Sequence, residues 1–400
     1  MSAIVLEIAT ERLAPRRGRL AVEVVQSSAG LAALAPEWSA LTRRSPGDHP
    51  FNTHAWVSCW WDSFGSGHAL RVFVFRDGTE LVAVAPMMLS VRRVYGLRTV
   101  TLEFLANAHT SRFDLAGERS DRVYLALWQQ VTEMFDELDY VTLCQLPADS
   151  PTLRRLPALA RADAVAGELW HAADAPYLEL EGTFDGYLRS LSAKHRANLR
   201  NRLGRLMRSA SLDMEIVTSG SEVESALAEG IQIEGAAWKQ DAGTAIASTE
   251  SCRQFYAQLV PEAARHGWLR LCFLTAGGRR IAFAFALEYG GRFFLVKTGF
   301  DPLYRQYSPT NLLVFHVLKH CYERGLSELD FLGDDEPWKR EWTATTRRHE
   351  WLFLFPHGWR SRAVRQLKFH ILPRLRASRL YRPMSEARAL LNHAMRRTQA

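Results

Sequence analysis

The residues with the clearest chemical potential lie in RQYSPTNLLVF, Arg305 to Phe315. Tyr-Ser-Pro-Thr-Asn precedes an apolar helical run, and one helix start does not require that much punctuation. One reading is local: Ser308 caps the helix and Pro309 takes its first position. The other is chemical: the N–H groups from Ser308 to Leu312 hold an anion, with phosphate the natural ligand. Arg305 and Tyr307 belong to that loop, and Ser308, Thr310 and Asn311 can add side-chain donors. Lys297, midway along RFFLVKTGF, is costly to bury alone, so it faces a cleft or pairs with an acid. Asp330, inside the apolar ELDFLG, is the obvious partner. An acid there is half-buried with a raised pKa or turned outward at a strand end.

Charge is unevenly spread along the 400 residues, whose formal net charge is +7. Residues 358–400 carry eleven Lys or Arg against one acid, which leaves −3 for residues 1–357. A second run, KHRANLRNRLGRLMR from Lys194 to Arg208, has six cations and no acid. Both segments could attract phosphates, or form solvated helix faces. Five scattered cysteines without a CxxC pair argue against a disulfide framework and a zinc site. There is no signal-peptide pattern and no apolar window of about 20 residues, so the chain is expected to be soluble and cytoplasmic.

Two passes of the same element order must position these residues. A strand RLAVEVVQS is followed by helical AGLAALAPEWSALTRR and THAWVSCWWDSF, then by a hairpin turning at Asp77-Gly78. A strand, a helix and a strand complete the first pass. The second runs from LDMEIVTSG through two helices to a hairpin turning at Gly277-Gly278, then RFFLVKTGF, the SPTN helix and SELDFLG. This is a duplication of architecture, with little repeated sequence. Trp56, Trp60 and Phe64 share one helical face and read as core.

The order resembles the GNAT superfamily of acyl-CoA acyltransferases, with RFFLVKTGF and YSPTNLLVFHVLKHCYERG at the donor-binding strand and helix. Two such units look like the Fem aminoacyltransferases. KTGFDPLYRQYSPTNLL, LDFLGDDEPWKREWT and SLSAKHRANLRNRLGRL are closer still to the CelD-type acetyltransferases of exopolysaccharide biosynthesis. The resemblance implies an α/β (α+β) fold of two tandem units, 18–175 and 176–357. Each would have a mostly antiparallel, splayed sheet flanked by helices, and a basic helical tail would follow over 358–400. The first unit, lacking an SPTN-like helix opening, is expected not to bind donor. One departure is plain: no glycine lies between Arg305 and Leu313, and glycine eases close backbone approach to a pyrophosphate.

By the same resemblance, the acceptor attacks an acyl-CoA thioester directly, with acetyl-CoA the simplest donor and no metal required. The absence of a GxSxG motif agrees with this. Asp330 and Glu234 are the candidate bases, and either Tyr304 or Tyr307 could protonate the thiolate, with Lys297 nearby. Trp238 and Lys239 would border the acceptor, a sugar or envelope precursor. Lys194, His195 and Arg196 would lie near the groove, and His195 is a proton carrier or a neutral residue among cations. An aminoacyl-tRNA donor and a non-catalytic scaffold are the alternatives. In the tail, Pro373 is expected to leave two short amphipathic pieces. These would dock on the body, on a biosynthetic complex or on an anionic leaflet.

Overall fold

The computed structural model describes residues 20–45, 49–236 and 246–377. Its strands are β1 (Ala21–Val25), β2 (Ala69–Asp77), β3 (Glu80–Val94), β4 (Leu97–Phe104), β5 (Ala116–Gly117), β6 (Tyr140–Pro147) and β7 (Ala166–Glu179). The second half adds β8 (Leu212–Val217), β9 (Leu269–Ala276), β10 (Arg279–Tyr289), β11 (Arg292–Phe300), β12 (Glu328–Asp330) and β13 (Thr346–Phe355). They form one sheet in the order β1-β2-β3-β4-β6-β13-β7-β12-β11-β10-β9-β8, with β5 beside β3. Only β4–β6 and β11–β12 pair in parallel among the described strands, once in each half. The fold is therefore a mixed α/β tandem, as the element order implies. Both glycine turns form, with φ of +61° at Gly78 and +58° and +79° at Gly277 and Gly278.

Residue alternation decides how the second sheet half is covered. Along β10, Phe283, Phe285 and Leu287 join the larger core, shared with the first unit. Ala282, Ala284 and Ala286 point the other way, beneath the helix Pro309–Glu323. Alanine on that face lets the helix lie close to the strand, while each phenylalanine buries enough surface that its loss would cost about 3–5 kcal/mol. Trp56 and Trp60 are core, as their spacing suggests.

Two expectations are revised. A boundary at 175/176 falls inside β7, whose first part pairs with β13 and whose last three residues pair with β12. Strand β13, from the second half of the sequence, lies between β6 and β7. The two units are thus joined by exchanged strands. Pro373 does not divide the described part of the tail. The helix Trp359–Arg365 continues through a π-helical stretch, Gln366–Ile371, into Leu372–Ala377. Proline lacks an N–H and crowds the carbonyl a turn earlier, and a wider π turn just ahead of it relieves that crowding.

Candidate active site

β11 and β12 are in register for three residue pairs, the last being Phe294 with Asp330. Beyond them the strands part. β11 continues to Phe300 paired only with β10, which leaves its other edge open. The chain leaving β12 turns away through Leu332 and Gly333, both with positive φ (+54° and +61°). A cleft of about 450 Å³ fills the fork. One wall is Leu295 to Phe300 of β11, Lys297 included, and the opposite wall is Phe331 to Asp334 with Trp338 and Lys339. Ser308, Thr310 and Asn311 border it from the start of the 309–323 helix, beside Arg305. Ala108, His109 and Ser111 of the first unit close another side.

The SPTN opening is more than a cap. Ser308 sits at the N-cap position with φ +50° and ψ +63°, and its side chain makes no capping bond. A non-glycine residue held in the left-handed region carries strain that a simple cap does not need. Its carbonyl accepts from Asn311 N–H (3.0 Å) and Leu312 N–H (3.3 Å), so those two donors are spent. Pro309 has no N–H. Thr310 lines the cleft, and its N–H has no backbone carbonyl partner among the described residues. The anion seat expected over five residues contracts to the Thr310 N–H and the Ser308 and Thr310 hydroxyls. Asn311 is an anchor: its Nδ2 donates to Glu341 Oε2 (2.9 Å) and its Oδ1 accepts from Trp342 Nε1 (3.4 Å). Leu312 is core.

Asp330 has a different role from the one its position suggests. It is fully buried, and its Oδ2 accepts from Arg112 and from Arg347 Nη1 (2.9 Å). Its Oδ1 accepts from Leu332 N–H (2.9 Å), which fixes the turn out of β12. The ion pair expected with Lys297 is replaced by these guanidinium contacts, and Asp330 does not line the cleft. Glu234 lies fully buried on the helix Val223–Gly235, one layer behind β11, with Oε2 accepting from Ile246 N–H (2.9 Å). Its backbone touches Gly299, where an added Cβ would fall 2.3 Å from Glu234 Cα. Only glycine permits that approach.

Tyr304 and Tyr307 are also outside the cleft lining, packed beneath Arg279 and Arg205 respectively. On the basic helix Ala193–Ser209, His195 is buried edge-on against Trp342, its Nδ1 3.3 Å from Glu341 Oε2. Burial lowers its pKa, Glu341 opposes that and Arg202 adds to it, so like charge is the minor cause. Arg196 donates back to the carbonyls of Arg189 and Leu191, and Lys194 is exposed. None of these three lines the cleft. Trp238 and Lys239 lie outside the described residues.

Two cleft residues gave no signal in the sequence. Lys339 looks like a surface cation in DDEPWKREW. It is buried, and its Nζ donates to Leu332 O (2.7 Å) and Asp334 O (2.9 Å), tying together the turn after β12. His109 arrives from the first unit. Its Nδ1 lies 3.2 Å from Tyr256 Oη and its Nε2 3.1 Å from Cys252 Sγ. Burial and the nearby Lys297 charge push its pKa down to about 4, so the ring is neutral at physiological pH. With both nitrogens engaged, it presents its ring to the cleft.

The parallel pair of the first unit is β4 with β6, in register from Thr101–Tyr140 to Glu103–Thr142. Phe113, Asp114 and Leu115, all buried, occupy the space beside β6, with Phe113 N–H donating to Gln145 O (2.9 Å).

The profile of the acetyltransferase (GNAT) domain family matches residues 9–112 and 193–340. Among solved structures, FemX superposes with a TM-score of 0.55 at 12% identity, over 84% of this chain and 98% of that one. A conserved protein of unknown function from Bacteroides thetaiotaomicron follows at 0.50 and 12%, over 83% and 100%. A tandem GNAT protein from the clavulanic acid biosynthesis pathway aligns at 0.45 and 16%, over 83% and 98%. At these identities the likeness is one of fold. No curated protein matches the sequence.

Proposed function

The chain belongs to the acetyltransferase (GNAT) domain family and is a transferase, and from that premise we propose that it moves an acyl group, most simply acetyl, from acyl-CoA to an amine or hydroxyl. The supporting observation is the fork between β11 and β12, ending on the Thr310 N–H and the strained Ser308. The donor pyrophosphate would rest on those groups, with Arg305 beside it. The pantetheine amides would hydrogen-bond the open edge of β11 as an added strand does. The thioester would then lie beside Lys297, whose charge stabilises the carbonyl oxygen and the departing thiolate, while Lys339 holds the opposite wall in place. The acceptor, positioned against His109 and Ser111, would attack the thioester carbon directly. The C–S bond would break as the new bond forms, the acceptor's proton passing to the departing thiolate to leave coenzyme A as the thiol. By its resemblance to the CelD-type enzymes, the acceptor is a sugar, polysaccharide or envelope precursor, modified in the cytoplasm.

Titration calorimetry with coenzyme A, acetyl-CoA and tRNA at low and high salt tests the donor. Saturable coenzyme A binding is expected, less steeply salt-dependent than binding of the longer polyanion tRNA, and it should be lost in Thr310→Pro and kept in Thr310→Gly. Unaltered coenzyme A affinity in the proline variant, with its circular dichroism unchanged, would refute the phosphate seat. Binding of tRNA alone would favour an aminoacyl donor, as in the Fem proteins.

A further inference from the structure

Seven of the ten large hydrophobic side chains exposed among the described residues fall in three segments that meet in space. Val91 and Tyr95 are on the β3–β4 hairpin, Leu169 and Trp170 on β7, and Trp359, Ile371 and Leu375 on the helix after β13. A small core joins the three: Val94 and Leu97 of the hairpin, Ala166 of β7, and Val364 and Phe369 of the helix all pack on Tyr140, Phe353 and Phe355. The rings of Trp170 and Phe369 are 6.2 Å apart, with Lys368 Nζ 4.8 Å from the Trp170 ring.

Charge accompanies this apolar surface. Residues 90–98 and 358–377 hold nine Lys or Arg and no Asp or Glu. Glu168 of β7 is taken by Arg365, at 2.8 Å. Arg93 and Arg98 are direct cross-strand partners, and neither has an acid at ion-pair distance among the described residues. Like charges directly opposite one another weaken a hairpin. Its turn is also costly: Tyr95 has φ +51° beside Gly96 at +83°, a place where Asn, Asp or Gly is usual. The sequence thus holds an aromatic ring at an exposed tip between two arginines that have no acid partner among the described residues, against local preference.

We propose that the β3–β4 hairpin tip, the Leu169–Trp170 segment of β7 and the 359–377 helix form one face that binds an anionic bilayer surface. Phosphate headgroups would supply the charge that Arg93 and Arg98 lack, and Tyr95, Trp170 and Trp359 would sit at the headgroup level, where amphipathic rings are favoured. The hairpin is the part that no property of the basic tail implies, and the proposal does not depend on the donor.

Cosedimentation of the full chain with vesicles tests it, using phosphatidylcholine alone or with about one-third phosphatidylglycerol. Binding to the anionic vesicles only, lost at molar salt, is expected. Each cation contributes roughly fivefold to partitioning, so R93Q/R98Q should bind about 25-fold more weakly. Tyr95→Asn suits the left-handed turn, so it should leave the melting temperature unchanged or raised while weakening binding. Equal binding by the hairpin variants and the unaltered chain would overturn the composite face. So would equal partition to neutral and anionic vesicles. Two other occupants are also separable. If residues 378–400 cover the face, only a chain ending at Ala377 will bind vesicles. If a second copy covers it, sedimentation velocity without lipid will show a dimer that R93Q/R98Q dissociates. Either result overturns the proposal.

Discussion

Replacing Asp330 by Asn distinguishes a seam residue from a catalytic base. Asp330 neutralises Arg112, only 4% exposed, and shares Arg347 with Glu328, which lies 2.8 Å from Nη2. In Asp330→Asn the shape is kept and Oδ1 still accepts from Leu332 N–H, but Arg112 becomes a buried cation facing an amide. Breaking a buried pair in this way costs about 3–5 kcal/mol, because the remaining charge is left uncompensated. Arg347 retains Glu328, so the cost falls mainly on Arg112. At roughly 2–4 °C per kcal/mol for units of this size, the melting temperature should fall by roughly 6–20 °C. Turnover per folded molecule should hold, since Asp330 is outside the cleft. Scanning calorimetry measures the first quantity, and single-turnover acyl transfer at a temperature where both proteins are folded measures the second. Adding Arg112→Met removes the orphaned charge, and the double variant should recover much of the loss. An unchanged melt with turnover reduced by roughly 10²–10⁴-fold, the loss expected for a general base, would refute this reasoning.

Three other outcomes are expected. Gly299→Ala places a methyl group 2.3 Å from Glu234 Cα, a backbone atom that cannot swing aside, so the 223–235 helix must shift from β11. Calorimetry should show a loss of at least about 1–3 kcal/mol, and an unaltered melt would mean the strand relaxes freely. Lys339→Met should loosen the turn after β12 and reduce coenzyme A affinity more than it reduces stability, as calorimetric titration and melting together would show. For pH, burial, then Arg112 and Arg347, hold the His349 pKa down to about 3, and that of His109 is about 4. Neither costs stability above the ordinary value near 6.5, but below it the unfolded chain takes up protons that the fold excludes. Stability should therefore fall between pH 6.5 and 5, by about 2 kcal/mol for each histidine. Other buried histidines, His49 among them, have lowered pKa values too. His349→Gln should therefore remove about 2 kcal/mol of a larger fall in denaturant titrations, and an unchanged fall would show that His349 is not responsible.

Local chemistry accounts for much of the outcome. Gly78 and Gly277-Gly278 can take the positive φ that their hairpin turns require, so both β-hairpins were legible. Alternation of Phe and Ala along β10 determined which face meets a helix and how closely. The excess of turn formers at Ser308 marked a special helix opening, since Pro309 and the polar residues around it act on neighbouring backbone groups. What the sequence did not reveal depends on residues far apart in the chain. Asp330 reads as a lone acid near a lysine until the first unit supplies Arg112, 218 positions away, and β13 supplies Arg347. His109 enters the wall of a cleft formed almost two hundred residues later only because β13 and β7 carry the sheet on from the first unit to the second. Lys339 has the composition of a solvated turn, and its burial is settled by the carbonyls of Leu332 and Asp334 converging on it. Local propensity acts over a few residues of backbone. The partner of a buried charge is set by which strands become neighbours, and that was decided by the tertiary structure alone.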